Sequence, residues 1–116
     1  MKFTKMQGAG NDYLYIDARH IEQDWERLAI DMSNRHFGVG SDGIILIQNS
    51  SIADLKMRMF NADGSEGEMC GNGIRCFAKY SLDKGIIPNT AGNLQVETLA
   101  GIRDIVPIRQ DGIVIA

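Results

Sequence analysis

Apolar and polar residues alternate weakly over residues 2–6, which predicts a first strand. Gln7-Gly8-Ala9-Gly10-Asn11-Asp12 then reads as a glycine-rich turn, and the apolar run at 13–16 as a buried strand. Asp24 stands where a helix cap belongs, and Trp25, Leu28, Ala29 and Met32 follow at i, i+3, i+4 and i+7, one helical face. Gly38 is expected to stop that helix, and Gly38-Val39-Gly40-Ser41-Asp42-Gly43 forms a second glycine-rich turn. The apolar run 44–47 and the alternating stretch 55–60 predict two further strands. After a polar, glycine-dense stretch from Asn61 to Gly73, a helix over 72–84 puts Ile74, Phe77, Ala78 and Leu82 on one face, with Gly85 as its C-terminal stop. Alternation at 94–99, a turn at Ala100-Gly101, a strand near 102–109 and a hairpin turn at Asp111-Gly112 complete the pattern, with Pro107 marking an edge or bulge. About seven short strands and two helices without regular alternation predict an α+β fold.

Composition narrows this only a little. The chain has 116 residues, 44% hydrophobic and 23% charged, as an ordinary single globular domain does. Its net charge of −3 supplies no broad attraction to nucleic acid or anionic membrane. No apolar run reaches the ~18 residues of a membrane span, and the first residues lack a signal peptide's apolar core. Two cysteines are too few for a disulfide-stapled scaffold, so the expectation is a cytoplasmic protein with reduced thiols. The ending Gly112-Ile113-Val114-Ile115-Ala116 is strand-like without a polar tail, and reads as a chain cut within a strand.

Several motif readings fail on context. Gly38-Val39-Gly40-Ser41-Asp42-Gly43 has the G-x-G-x-x-G spacing, but a dinucleotide loop follows a strand and opens a helix, and here the order is inverted. The stretch from Asn61 to Glu68 lacks the ligand spacing of a calcium loop; its carboxylates are expected to be solvated or to cap nearby backbone. Cys70 and Cys76 are spaced C-x₅-C, neither a redox pair nor a zinc site. His20 and His36 are solitary, and Ser41, Ser65 and His36 form no visible triad.

Cys70 is the exception. It sits just before a predicted helix start, where free N–H groups and the positive end of the dipole stabilise a thiolate. Gly71 and Gly73 beside it let a ligand approach the backbone, and a carboxylate is the natural ligand of such N–H groups. The plainer alternative, a small buried hydrophobe, stays open for Cys70 on these grounds and is adopted for Cys76.

Three ordered blocks carry a resemblance: Met6-Gln7-Gly8-Ala9-Gly10-Asn11-Asp12-Tyr13, then Arg35-His36-Phe37-Gly38-Val39-Gly40-Ser41-Asp42-Gly43, then the seventeen residues from Phe60 to Cys76. Together they resemble the diaminopimelate epimerase family, end to end along the chain. The resemblance implies inversion of LL-diaminopimelate to the meso form in lysine and cell-wall synthesis, without pyridoxal phosphate or metal. It implies two cysteines from two similar domains flanking the α-carbon, one removing a proton as thiolate and the other delivering one as thiol. Cys70 corresponds to one of that pair; Asn11, Asn61 and Asn72 correspond to substrate contacts, and Gly71 to a backbone N–H donor. Some members carry Gln at the position of Gly43, so no contact is carried over there. The implied fold is a mixed sheet curled barrel-like around a central helix. Members are about twice as long, so residues 1–116 are expected to be an N-terminal epimerase domain. The C-terminal domain with the second cysteine would then be absent, and the isolated chain inactive.

The implied partners are a small-molecule amino acid, diaminopimelate, and the C-terminal domain, with a homodimer as a further option; no nucleic acid and no membrane are implied. Competing readings are a related racemase or isomerase of the proline racemase or phenazine-pathway type, a non-catalytic or self-associating module with an exposed apolar patch, and a redox switch at Cys70.

Overall fold

Four consecutive apolar residues, Ile44-Ile45-Leu46-Ile47, leave no polar side chain to turn toward water, so a strand built on them needs cover on both faces. The computed structural model describes residues 3–8, 11–34, 40–67, 76–81, 84–86, 94–105, 109–110 and 113–114. In it that strand, β3 (Gly43–Gln48), is buried along its length apart from its last residue. Beside it lie β2 (Asn11–Asp17), parallel, and β4 (Leu55–Asn61), antiparallel. The row continues outward from β2 to antiparallel β1 (Thr4–Gly8), and from β4 to parallel β6 (Leu94–Thr98) and antiparallel β7 (Gly101–Ile105). A two-residue strand, β5 (Glu66–Gly67), makes the seventh member and shares the outer edge of β4 with β6. The sheet is therefore mixed, with β2–β3 and β4–β6 as its parallel pairs. Beyond it, β8 (Arg109–Gln110) pairs with β9 (Ile113–Val114) across 111–112, the expected hairpin.

Each face of the sheet has its own core. Leu14, Ile16, Ile44, Leu46 and Phe60 pack against Trp25 and Ala29 of helix α1 (Trp25–Ser33). Tyr15, Ile45, Ile47, Met57, Met59, Leu94 and Val96 pack against Phe77, Ala78 and Tyr80 of a second helical segment, 76–81. Tyr15 and Tyr80 stack with ring centroids 5.9 Å apart. Each fully buried side chain of this size contributes roughly 1.5–3 kcal/mol of transfer free energy.

Helix α1 begins as its sequence predicts: the Asp24 carboxylate accepts the Arg27 amide at 3.3 Å. It ends earlier than Gly38, at Ser33. The chain returns to cap it instead, with Gly40 N–H donating to Met32 and Ser41 N–H to Ser33 carbonyls at 3.1 and 3.4 Å, and Gly40 holding a φ of +80°. At the end of the second helix Gly85 has a φ of +71°, and Ile86 N–H donates to the Ser81 carbonyl at 2.9 Å. This six-residue closure is a Schellman stop, and Ile86 packs on the core behind it.

The first glycine block is the larger departure from expectation. Pairing runs through it to Gly8 opposite Asn11, so β1 and β2 are joined by two residues rather than six. Glycine and polar residues carry no alternation, yet the backbone still forms the ladder; packing of Tyr15 and Leu14 downstream fixes the register.

Candidate active site

Described residues of all three motif blocks meet at one end of the sheet. β2 starts at Asn11, Gly43 opens β3 two residues beyond Asn11's register, and Asn61 closes β4 directly opposite Gly43. Their junction is held by main-chain and carboxylate bonds. Asp12 N–H donates to the Asp42 carboxylate at 2.7 Å, Asp42 N–H donates to the Asp12 carbonyl at 2.7 Å, and Ala62 N–H donates to the Asp42 carbonyl at 3.1 Å. Lys5 stands 3.8 Å from the Asp12 carboxylate. Beneath them the buried Ser41 hydroxyl donates to the Gly43 carbonyl at 3.0 Å and lies 3.2 Å from the Ser33 hydroxyl, tying α1 to the start of β3.

Asn61 is placed by a tight turn. Gly64 N–H donates to the Asn61 carbonyl at 2.9 Å, Asn61 N–H donates to the Ser65 carbonyl at 2.8 Å, and Gly64 has a φ of +89°. A turn closed by a left-handed glycine reverses the chain in three residues, which is why β5 pairs with β4 inside a stretch whose composition reads as loop. Gly64 also lies against α1: a Cβ there would stand 2.9 Å from Ile30 and 3.1 Å from the Glu26 carbonyl. Gly64→Ala is therefore expected to destabilise the protein by about 1–2 kcal/mol through its φ alone. The fall in thermal midpoint against wild type measures it, and an unchanged midpoint would mean that the turn does not hold this geometry.

The Asn61 side chain is half-buried, and its amide donates to the Ser65 hydroxyl at 3.1 Å. Ser65 in turn donates to Asp63 from its hydroxyl at 2.6 Å and its amide at 2.9 Å. Those two bonds hold the Asp63 carboxyl below the usual carboxylate range. Asp63 thus caps backbone, as expected of this acidic stretch, and Glu66 forms a two-pronged pair with Arg58 at 3.1 Å. Asn61 remains within reach of Gly67, whose missing side chain leaves its amide group room: a Cβ there would lie 3.2 Å from it.

Of the residues singled out from sequence, Asn11 and Asn61 are brought to the same end of the sheet, Asn11 by its backbone position alone. Cys70, Gly71 and Asn72 lie outside the described residues, as do His36 and the start of the second helix. Cys76 is half-buried against the core, the small-hydrophobe role expected of it. His20 is exposed after β2. The G-x-G-x-x-G segment lies between α1 and β3, so its order is indeed helix then strand. Among the described residues, exposed large hydrophobics are spread over Phe3, Ile30, Ile52, Leu99 and Ile102, the last two together on the β6–β7 hairpin. Two grooves of about 580 and 800 Å³ share Arg19 in their linings, and Asp17, its ion-pair partner, lines the second. No helix among the described residues is long and apolar enough to cross a membrane.

Comparison with known proteins decides the family. The sequence model of diaminopimelate epimerase matches residues 3–114, which contain all three blocks. The chain belongs to the diaminopimelate epimerase family. It is 55% identical over 103 residues to the diaminopimelate epimerase of Caldanaerobacter subterraneus subsp. tengcongensis, covering 88% of this chain and 36% of that protein. It is 51% identical over 113 residues to that of Acetivibrio thermocellus, covering 97% and 40%. The chain therefore spans about two-fifths of the length of these curated relatives. Among solved structures it resembles a hydroxyproline epimerase from Agrobacterium vitis with a TM-score of 0.75 at 17% identity, over 97% of this chain and 38% of that one, a likeness of fold. A Cβ built at Gly43 would overlap the Phe60 carbonyl oxygen, so in this chain the glycine permits the close approach of β3 to β4.

The Asp12–Asp42 bonds escaped the sequence reading. Two aspartates thirty residues apart carry no periodic signal, and only the parallel pairing of β2 with β3 brings them together.

Proposed function

We propose that these 116 residues are the N-terminal half of a cytoplasmic diaminopimelate epimerase that interconverts LL- and meso-diaminopimelate by two-thiol acid/base catalysis. The observation that carries this reading is the family match over residues 3–114. The convergence of the Asn11, Gly43 and Asn61 segments at one end of the sheet supports it. Cys70 is one thiol; the second belongs to the C-terminal domain. The helix that follows Cys70 is the central helix around which the sheet curls, and its segment 76–81 already packs on one sheet face.

An amino-acid α-proton is weakly acidic, so without an electron sink the developing carbanion must be stabilised by fixed donors in a water-excluded site. Backbone N–H groups at Gly71 serve there, beside the thiolate. Cys70 and its counterpart hold one proton between them. One thiolate takes the α-proton as the C–H bond breaks, and the opposite thiol gives its proton to the other face of the same carbon. Asn11, Asn61 and Asn72 bind the substrate's carboxylate and ammonium groups, since an amide both donates and accepts.

The diaminopimelate reading is preferred to a related racemase because identity is 46–55% to epimerases of that name and 24% or less to the phenazine-type and hydroxyproline proteins that share the fold. The 116 residues alone hold one thiol of the pair and are inactive by themselves. Chiral separation of products after incubating the full-length protein with LL-diaminopimelate tests the reading. Formation of the meso isomer is expected; turnover of proline or hydroxyproline in its place would overturn it.

A further inference from the structure

Asp42 touches two of the three motif blocks at once while sitting in the other. Its carboxylate takes the Asp12 amide, its own amide returns to the Asp12 carbonyl, and its carbonyl takes the Ala62 amide. Each contact lands on the residue next to a substrate-binding asparagine: Asp12 follows Asn11, and Ala62 follows Asn61. Of these three contacts, the carboxylate bond is the one that depends on the side chain. At 2.7 Å it is short, and a hydrogen bond with an ionised acceptor is about twice as strong as a neutral one. Ser41 and Gly43 on either side are fixed by the buried hydroxyl of Ser41, so Asp42 is carried on a rigid connection between α1 and β3.

We propose that Asp42 is a positioning residue that sets Asn11 for substrate through the Asp12 amide. This rests on the diaminopimelate epimerase reading. Without the carboxylate the Asp12 amide loses its partner, the first peptide of β2 is free to tilt, and Asn11 turns with it. The loss falls on substrate binding, because Cys70 is carried by a different segment.

The test uses the full-length protein. Asp42→Ala is expected to raise KM for diaminopimelate about tenfold and change kcat less than threefold. Asp42→Asn keeps an oxygen able to accept the same amide, and is expected to return KM to within about twofold of wild type. In an Asn11→Ala background, Asp42→Ala is expected to add less than twofold, since the two residues act in series. An Asp42→Ala variant with wild-type KM overturns the role, as does equal impairment of the Ala and Asn variants, or a full multiplicative effect on top of Asn11→Ala. A wild-type protein that does not turn over diaminopimelate overturns the functional reading itself, and this role with it.

Discussion

Cys70→Ala in the full-length protein is expected to lower epimerisation in both directions on the order of 10³-fold or more, while the thermal midpoint stays within a few degrees of wild type. General acid/base groups typically contribute 10²–10⁴-fold, and under the proposed mechanism the same group is base in one direction and acid in the other. Removing it leaves the opposite thiol with a proton to give and no carbanion to receive it. The fold survives because cores on both faces of the sheet are built from other residues, Phe77 and Trp25 among them. Cys76 does not replace it, since its side chain packs half-buried against the core between segment 76–81 and the sheet. Full activity in Cys70→Ala would refute the assignment, and Cys76→Ala serves as the matched control with activity retained.

The second large effect is on stability. Phe77 is fully buried where helical segment 76–81 meets β2, β3, β4 and β6. Phe77→Ala removes an aromatic ring from a two-faced core and leaves a cavity that the sheet cannot collapse, so about 3–5 kcal/mol of stability is lost. Against the ~5–15 kcal/mol of a typical domain, that is a large fraction. The thermal midpoint is expected to fall by at least about 6 °C. Phe77→Leu, which keeps most of the apolar volume, should lose less than half as much. A midpoint within 2 °C of wild type for Phe77→Ala would mean that this helix does not seat on the sheet as described. The substitution should also cost activity in proportion to the unfolded fraction.

What could be read from the chain depended on whether a residue's role left a periodic trace. The run 44–47 announced a strand covered on both faces, and the i, i+3, i+4, i+7 spacing from Trp25 announced α1 with its Asp24 cap. Gly85 was legible as a stop because a left-handed glycine after a helix has a fixed place in the motif. Gly38 was misread by the same logic, because α1 is capped at a distance by Gly40 and Ser41 rather than by its next glycine. The short β5 and the two-residue β1–β2 connection were hidden in glycine-rich stretches, where backbone pairing proceeds without side-chain alternation. The shared edge of β4, paired with β5 at one end and β6 at the other, depends on long-range register that local pattern cannot hold. At the site, Asn11 and Asn61 were recognisable only through resemblance, and Asp42 not at all. Its contacts join Asp12, thirty residues earlier in the chain, to Ala62, twenty residues later, and neither distance has a sequence signature.

Under the proposed mechanism, inversion proceeds by removal and return of the α-proton at a thiol pair that includes Cys70. The most direct test is incubation of the full-length protein with LL-diaminopimelate in deuterium oxide, with deuterium at the inverted α-carbon of the product followed by mass spectrometry. The expected result is one solvent deuterium in each meso molecule formed during initial turnover, and none above background with Cys70→Ala. Product that keeps its original proton, or deuterium incorporation undiminished in Cys70→Ala, would contradict it.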